Sequence, residues 1–471
     1  MSLATRTMSS LSGEIKQSFP RPSSPQLGQM AWGSFISSLG STLQVFAFTY
    51  VVYSTTKSAF ATVMVGVAFA VGFGLFALPA GKIARRFDHR HVVIAVSVAK
   101  AVVYAAILAL QLTGELSLAA ILISSAASGI TSSIQYPCWQ ELLQQFSAKG
   151  RLDETNALFS SLSSISSVIG ALAGGVLLDE VGAAPLFAFN VLSYLPLIVI
   201  VALLPAMQGD KPTAAAGLKL IIAKINSARA VRTAVIFTAL LELLAWPLIS
   251  LLPKVAAEVG SAARIYGLLL AAFYVGAGLV AVLLRRWKKD APYSHIIRLS
   301  ITASGIALVI AGAFGIAQMG IALTLAGLAI VLAAAGLGLA TAQSVLGAIT
   351  QLGVPKKIEG EVLGVFALIT IIFGTVGSLV EGLLADTLDI WWLPLASGAV
   401  IVIAMNLIWW RHGFLVLNAA DPKSDPGRTH LMRHAQSGGR GNATPPLVHT
   451  RRPLTAATDD DARREGDTLR A

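Results

Sequence analysis

Thr238, Glu242 and Trp246 sit four residues apart in the apolar string FTALLELLAWP, in which Glu242 is the only ionisable residue. That spacing places the three on one helix face. A carboxylate in the middle of a membrane-spanning segment costs about 2.5–3.5 kcal/mol on insertion scales and usually faces the protein interior. Such a group can load and release a proton, or pair with a cation that competes with the proton for one charge. A purely structural, hydrogen-bonded carboxylate is the alternative.

Other polar residues fall in equally apolar surroundings. Ser132, Gln135 and Trp139 lie along one helical face, with Tyr136 and Gln140 beside them; Gln44 has Phe48 one turn on, and Gln343 lies at a similar depth. Aromatic and amide groups around an apolar cavity suit a bulky, partly polar organic molecule. Helix–helix hydrogen bonding is the competing role for each. Lys100, in VSVAKAVVY, either snorkels to the interface or pairs with an acid of another helix.

The segments that must position these residues are membrane spans. Hydrophobic residues make up 55% of the chain and charged residues 13%, with mean hydropathy +0.72. A soluble domain carries about a quarter charged residues. Spans of about 20 apolar residues are expected near 30–53, 59–84, 92–112, 117–143, 156–178 and 183–204, then 232–252, 265–284, 296–316, 320–349, 362–385 and 390–410. Helices are expected, because backbone polar groups in lipid must be satisfied within the segment. Loops on one side hold 18 Lys and Arg residues and those on the other only Lys57, Lys254 and Arg264, which predicts cytoplasmic termini and a cytoplasmic central loop. This bias accounts for the net charge of +11 with no nucleic acid partner.

The expected organisation is a cytoplasmic N-terminal tail over 1–28, a six-helix bundle over 29–204, a central loop over 205–230, a second bundle over 231–410 and a disordered tail over 411–471. Residues 1–28 lack the apolar core of a signal peptide, so the first span is expected to serve as targeting signal. In the central loop, Leu218, Ile221, Ile222 and Ile225 suggest a helix on the inner leaflet. Cys138, the single cysteine, is expected as a packed small residue and leaves no cysteine cluster for a metal. The histidines fall in loops or the tail, and no phosphate-binding GxxxxGK[ST] loop occurs. An enzyme, a metal site and a cofactor are therefore not expected.

The chain nearly repeats itself. Comparing 144–179 with 351–386, at an offset of 207, gives 10 identities in 36 positions, including Gly170, Gly175 and Asp179 against Gly377, Gly382 and Asp386. A duplicated half is the preferred reading. Gly170, Gly174 and Gly175 form a small-residue face, which is expected to pack crossing 5 closely against a helix of the opposite half.

Twelve spans in two related halves resemble the major facilitator superfamily over about residues 28–411. In its signature loop between spans 2 and 3, Gly81, Arg86 and Arg90 match, while Arg85, Asp88 and His89 stand where an acid, a glycine and a base are usual. PCWQELLQQF, RLDETNALFSS, GALAGG, FAFNVLSYL and VPKKIEGEVLGVFAL are similar to the branch of twelve-span, proton-antiporting drug, macrolide and siderophore exporters. Ala171 replaces a proline of the branch's exporter motif in span 5, while Ser41 in span 1 and Ser97 in span 3 stand where the superfamily often has acids. The resemblance implies an all-α membrane protein of two pseudo-symmetric six-helix bundles, with a midplane substrate site lined by spans 1, 4, 7 and 10. It also implies a monomeric, proton-coupled transporter of a hydrophobic or amphipathic small molecule in the cytoplasmic membrane. With the usual acids replaced, either Glu242 carries the coupling or the protein is a uniporter. Import, or a non-transporting receptor on the same fold, are the other readings.

Overall fold

A serine precedes three of the first four helices. Ser24, Ser58 and Ser117 each accept a hydrogen bond from the backbone N–H three residues on, at 3.2, 3.1 and 3.2 Å. Each thereby satisfies one of the donors that a helix start leaves unpaired. Pro25, at the first turn, needs no such partner.

The computed structural model describes residue 22 and residues 24–148, 151–205, 218–260, 263–280, 293–317, 320–354 and 359–412. These residues form helices and no strands. The first half contains α1 (Pro25–Thr56), α2 (Ala59–Arg86), α3 (His89–Thr113), α4 (Leu118–Phe146), α5 (Leu152–Val181) and α6 (Ala184–Leu203). A short α7 (Leu218–Ser227) leads to α8 (Arg229–Leu244), α9 (Pro247–Val259), α10 (Ala263–Gly278), α11 (Tyr293–Ala317), α12 (Ile321–Leu352), α13 (Glu359–Thr387) and α14 (Trp392–His412). Eleven segments are long and apolar enough to cross a membrane, counting Arg229–Val259 as one, and α10 is a shorter apolar helix. α1–α6 are thus crossings 1–6, α8 with α9 is crossing 7, and α10–α14 are crossings 8–12. Most of both expected tails and of the central loop's first part lies outside the described residues, and the described ends of the tails, 25–28 and 411–412, belong to α1 and α14.

Crossing 7 departs from the continuous helix expected over 232–252. Pro247 has no N–H, and the N–H groups of Ala245 and Trp246 both reach the Leu241 carbonyl, at 2.9 and 3.3 Å. The helix breaks there and restarts at Pro247. Gly377 of α13 packs directly against the Leu243 backbone at the break, a close approach that only a residue without a side chain permits.

A helix does form in the central loop. Its Ile225 is buried with Val231 and Val362, whereas Ile222 is exposed, so part of its apolar face meets protein. Cys138 is fully buried.

The repeated stretch joins the halves. Asp179, at the end of crossing 5, accepts hydrogen bonds from the Ala263 and Arg264 backbone N–H groups at 3.0 and 3.2 Å, at the start of crossing 8. Its copy Asp386 ends crossing 11 and accepts from Ala59 and Phe60 at 2.7 and 3.1 Å, at the start of crossing 2, with Ser58 Oγ at 2.6 Å. One turn earlier the pairing recurs. A Cβ on Gly175 would lie 3.2 Å from Gly267 Cα, and one on Gly382 would lie 3.3 Å from Phe60 Cα. Each half therefore caps a helix of the other with the same aspartate. Thr49 and Tyr266 add a buried hydrogen bond of 2.9 Å across the seam, and Phe46 stacks on Tyr266 at 4.4 Å.

The glycine face divides its work. Gly175 packs across the halves, as expected, but Gly170 and Gly174 meet Thr42 and Phe46 of crossing 1 in their own half, with Cβ distances of 2.8 and 2.9 Å. The reason is helical geometry: neighbouring residues 174 and 175 point about 100° apart.

Candidate functional site

Glu242 is buried in crossing 7, just before the helix break. Its Oε1 accepts a 2.6 Å hydrogen bond from Gln343 Nε2 of crossing 10. Its Oε2 faces Gly374 of crossing 11, where a Cβ would sit 3.2 Å away. No ion pair to Glu242 forms among the described residues. The carboxyl is thus enclosed by one amide donor and a glycine wall. Thr238, one turn before it, is fully buried and its hydroxyl has no hydrogen-bond partner among the described residues. Trp246 stands at the helix break and packs edge-on against Phe273 of crossing 8, ring to ring at 6.1 Å.

The first half holds the opposite charge. Lys100 of crossing 3 is buried, and its Nζ donates to Gln135 Oε1 at 2.8 Å and to Ser132 Oγ at 3.0 Å, both on crossing 4. It neither snorkels nor meets an acid. Both sequence expectations fail because crossing 4 presents neutral oxygens at the ammonium's depth. A cavity of about 380 Å³ adjoins Lys100, lined also by Ser37, Ser41, Ser132, Gln135, Tyr136 and Trp139. Among the described residues its walls come from crossings 1, 3, 4, 5 and 6. Trp139 packs edge-on against Phe159 of crossing 5.

Gln44 lies apart from this cavity. Its Oε1 accepts from Asn190 Nδ2 of crossing 6 at 3.1 Å, fully buried, which ties crossing 1 to crossing 6. The signature-loop residues also serve locally. Asp88 Oδ1 accepts from the Arg90 N–H at 2.8 Å and so caps α3. Arg90 donates to the Val201 and Ala202 carbonyls at 3.3 and 2.7 Å, at the end of crossing 6. There a cation meets the negative end of a helix. Arg86 lies over the Phe87 ring at 5.8 Å. Gly81 is inside α2 with open space around it. The Arg85 side chain lies outside the described residues.

Several residues gain a role only from the structure. Ser34, Ser37, Ser38 and Ser41 all line the cavity, and their i, i+3, i+4, i+7 spacing was a legible helical face. The aspartate pair was visible as an identity, but its capping role was not. Glu381, buried and bonded by Ser397 Oγ at 2.8 Å, stands where the first copy has Gly174. A second buried acid in one copy was the available signal.

This fold and its buried polar sites define a multi-pass membrane transporter of the major facilitator type. Residues 22–433 match the model of the transmembrane secretion effector family, and the chain belongs to that family. Solved structures of transporters share the fold. A bacterial homologue of the human lysosomal transporter Spinster, inward-facing and unoccupied, aligns with TM-score 0.60 and 14% identity, covering 88% of this chain and 93% of that one. The nucleoside transporter NupG aligns at TM-score 0.63 and 13% identity over 82% and 99%. A D-xylose–proton symporter aligns at 0.64 and 13% over 82% and 98%. No relative among curated proteins matches the sequence.

Proposed function

We propose that the protein is a proton-coupled secondary transporter that exports a hydrophobic or amphipathic small molecule by alternating access. It acts as a monomer in the cytoplasmic membrane, with both termini in the cytoplasm. The observation that carries the coupling is Glu242. A buried carboxyl with one amide donor and, among the described residues, no ion-pair partner is suited to binding and losing a proton. It lies at a helix break, and discontinuous helices in transporters mark sites near the midplane. The family's description as a secretion effector supports the outward direction.

Gln343 and Gly374 tie the carboxyl to crossings 10 and 11. A change in its charge therefore acts on how three helices of the second half pack. The outer seam, where Asp179 and Asp386 hold the halves together, must open for release and re-form afterwards.

The test uses liposomes containing the full chain, an imposed pH gradient, and a fluorescent amphipathic dye that the unmutated protein transports. Glu242→Gln is expected to abolish pH-driven dye accumulation while gradient-free dye exchange persists. Unchanged proton coupling in that variant would overturn the assignment.

A further inference from the structure

The cavity beside Lys100 has no counterpart in the charge chemistry proposed for Glu242. A buried ammonium in a membrane protein is costly and is ordinarily paired with a carboxylate. Here its protein partners are two neutral oxygens, Gln135 Oε1 and Ser132 Oγ. Among the described residues, no carboxylate lines the cavity. An ammonium has three donors, so two bonds leave one N–H to spare at the cavity's edge.

The rest of the wall is of two kinds. Serine hydroxyls of crossing 1, such as Ser37 and Ser41, supply small donors, while Trp139 and Leu197 supply apolar surface. At about 380 Å³, the space falls in the usual range for small-molecule sites, about 300–1,000 Å³. A cation among hydroxyl donors, with apolar walls around it, is complementary to an anion carried on an apolar body.

We infer that this cavity is an anion-recognising subsite and that the transported molecule carries a single negative charge on an apolar or aromatic body. One ammonium with no second cation among the described wall residues sets the charge at one. The inference rests on the reading of the protein as a transporter of amphipathic molecules, and it deepens that reading by giving the molecule a charge. Lys100 anchors the acid group, and Ser132 and Gln135 hold Lys100 in place. A merely structural Lys100, bonding crossing 3 to crossing 4, would leave ligand charge without effect.

The experiment measures calorimetric binding to the detergent-solubilised full chain at neutral pH. The probes are naphthalene-2-carboxylate, its neutral carboxamide and the cationic naphthylmethylammonium, which share one apolar body. The carboxylate is expected to bind at least about tenfold more tightly than the carboxamide, a difference of about 1.4 kcal/mol. Lys100→Gln should bring the two within about twofold while carboxamide binding persists, which shows that the variant is folded. Lys100→Arg should restore the preference. The readout is binding without a pH gradient, so failure of the proton assignment and failure of this one are separable. Equal binding of carboxylate and carboxamide, a preference that survives Lys100→Gln, or no binding of any probe would each overturn the inference.

Discussion

Gln135 in crossing 4 and Gln343 in crossing 10 occupy corresponding helices of the two halves, and each holds a buried charge by opposite ends of its amide. Gln135 offers its oxygen to Lys100; Gln343 offers its N–H to Glu242. Around Lys100 there is a cavity with hydroxyl walls. Around Glu242 there is a glycine wall and apolar packing. The two amides are not copies of one position, since at the offset of 207 Gln135 falls opposite Ala342 and Gln343 opposite Tyr136; the likeness lies in the corresponding helices and the contrast in the charge each amide holds. In the proposed scheme the first half recognises the molecule and the second half handles the proton. At the seam the halves are alike, each ending a helix on an aspartate that caps the other's helix.

The contrast can be broken at its largest effect through the seam. Gly175→Leu places a side chain where a Cβ alone would lie 2.9 Å from the Ala263 carbonyl. Overpacking of this kind costs about 1–3 kcal/mol, so dye transport should be lost and thermal unfolding lowered. Normal transport in Gly175→Leu would show that this contact is not where the halves close.

The amides sharpen the comparison next. Gln343→Leu removes the donor that holds Glu242, a charge-assisted bond of about 1.5–3 kcal/mol when the acid is ionised. It should reduce pH-driven transport several-fold. Gln44→Leu, which removes the bond to Asn190 and leaves that buried amide unpaired, should leave transport rates nearly unchanged and cost about 1–3 kcal/mol of stability. Equal transport losses from the two would mean that position in the half, not contact with Glu242, decides.

The smallest expected effect tests the likeness. Asp179→Ala and Asp386→Ala each remove one helix cap, worth about 0.5–2 kcal/mol. Their effects on thermal unfolding should be similar in size. A large effect from one and none from the other would mean that the seam is not symmetric in energy.

Much of this site was legible because it rests on spacing. Glu242 stood out as a lone acid in an apolar run, and Gln343 was singled out at similar depth, yet nothing in the chain joined them. The spacing of Thr238, Glu242 and Trp246 assumes an unbroken helix, and the structure adds a break at Pro247. Lys100 was expected at the interface or with an acid. Its partners are neutral and lie 32 and 35 residues on, a pairing set by how crossings 3 and 4 pack. The glycine face predicted a contact with the opposite half, and one of its three glycines makes it.

From sequence alone came the membrane class, the crossings, the duplication and the buried charges, because lipid demands long apolar helices and penalises charge locally. Those demands act on each segment by itself. Tertiary structure decided which crossing faces which, and so which charge has a cavity and which has a wall. Hydrogen bonds such as Gln343 to Glu242 and Asp386 to Ala59 join residues 101 and 327 positions apart. Only the packing of whole helices brings such pairs within reach.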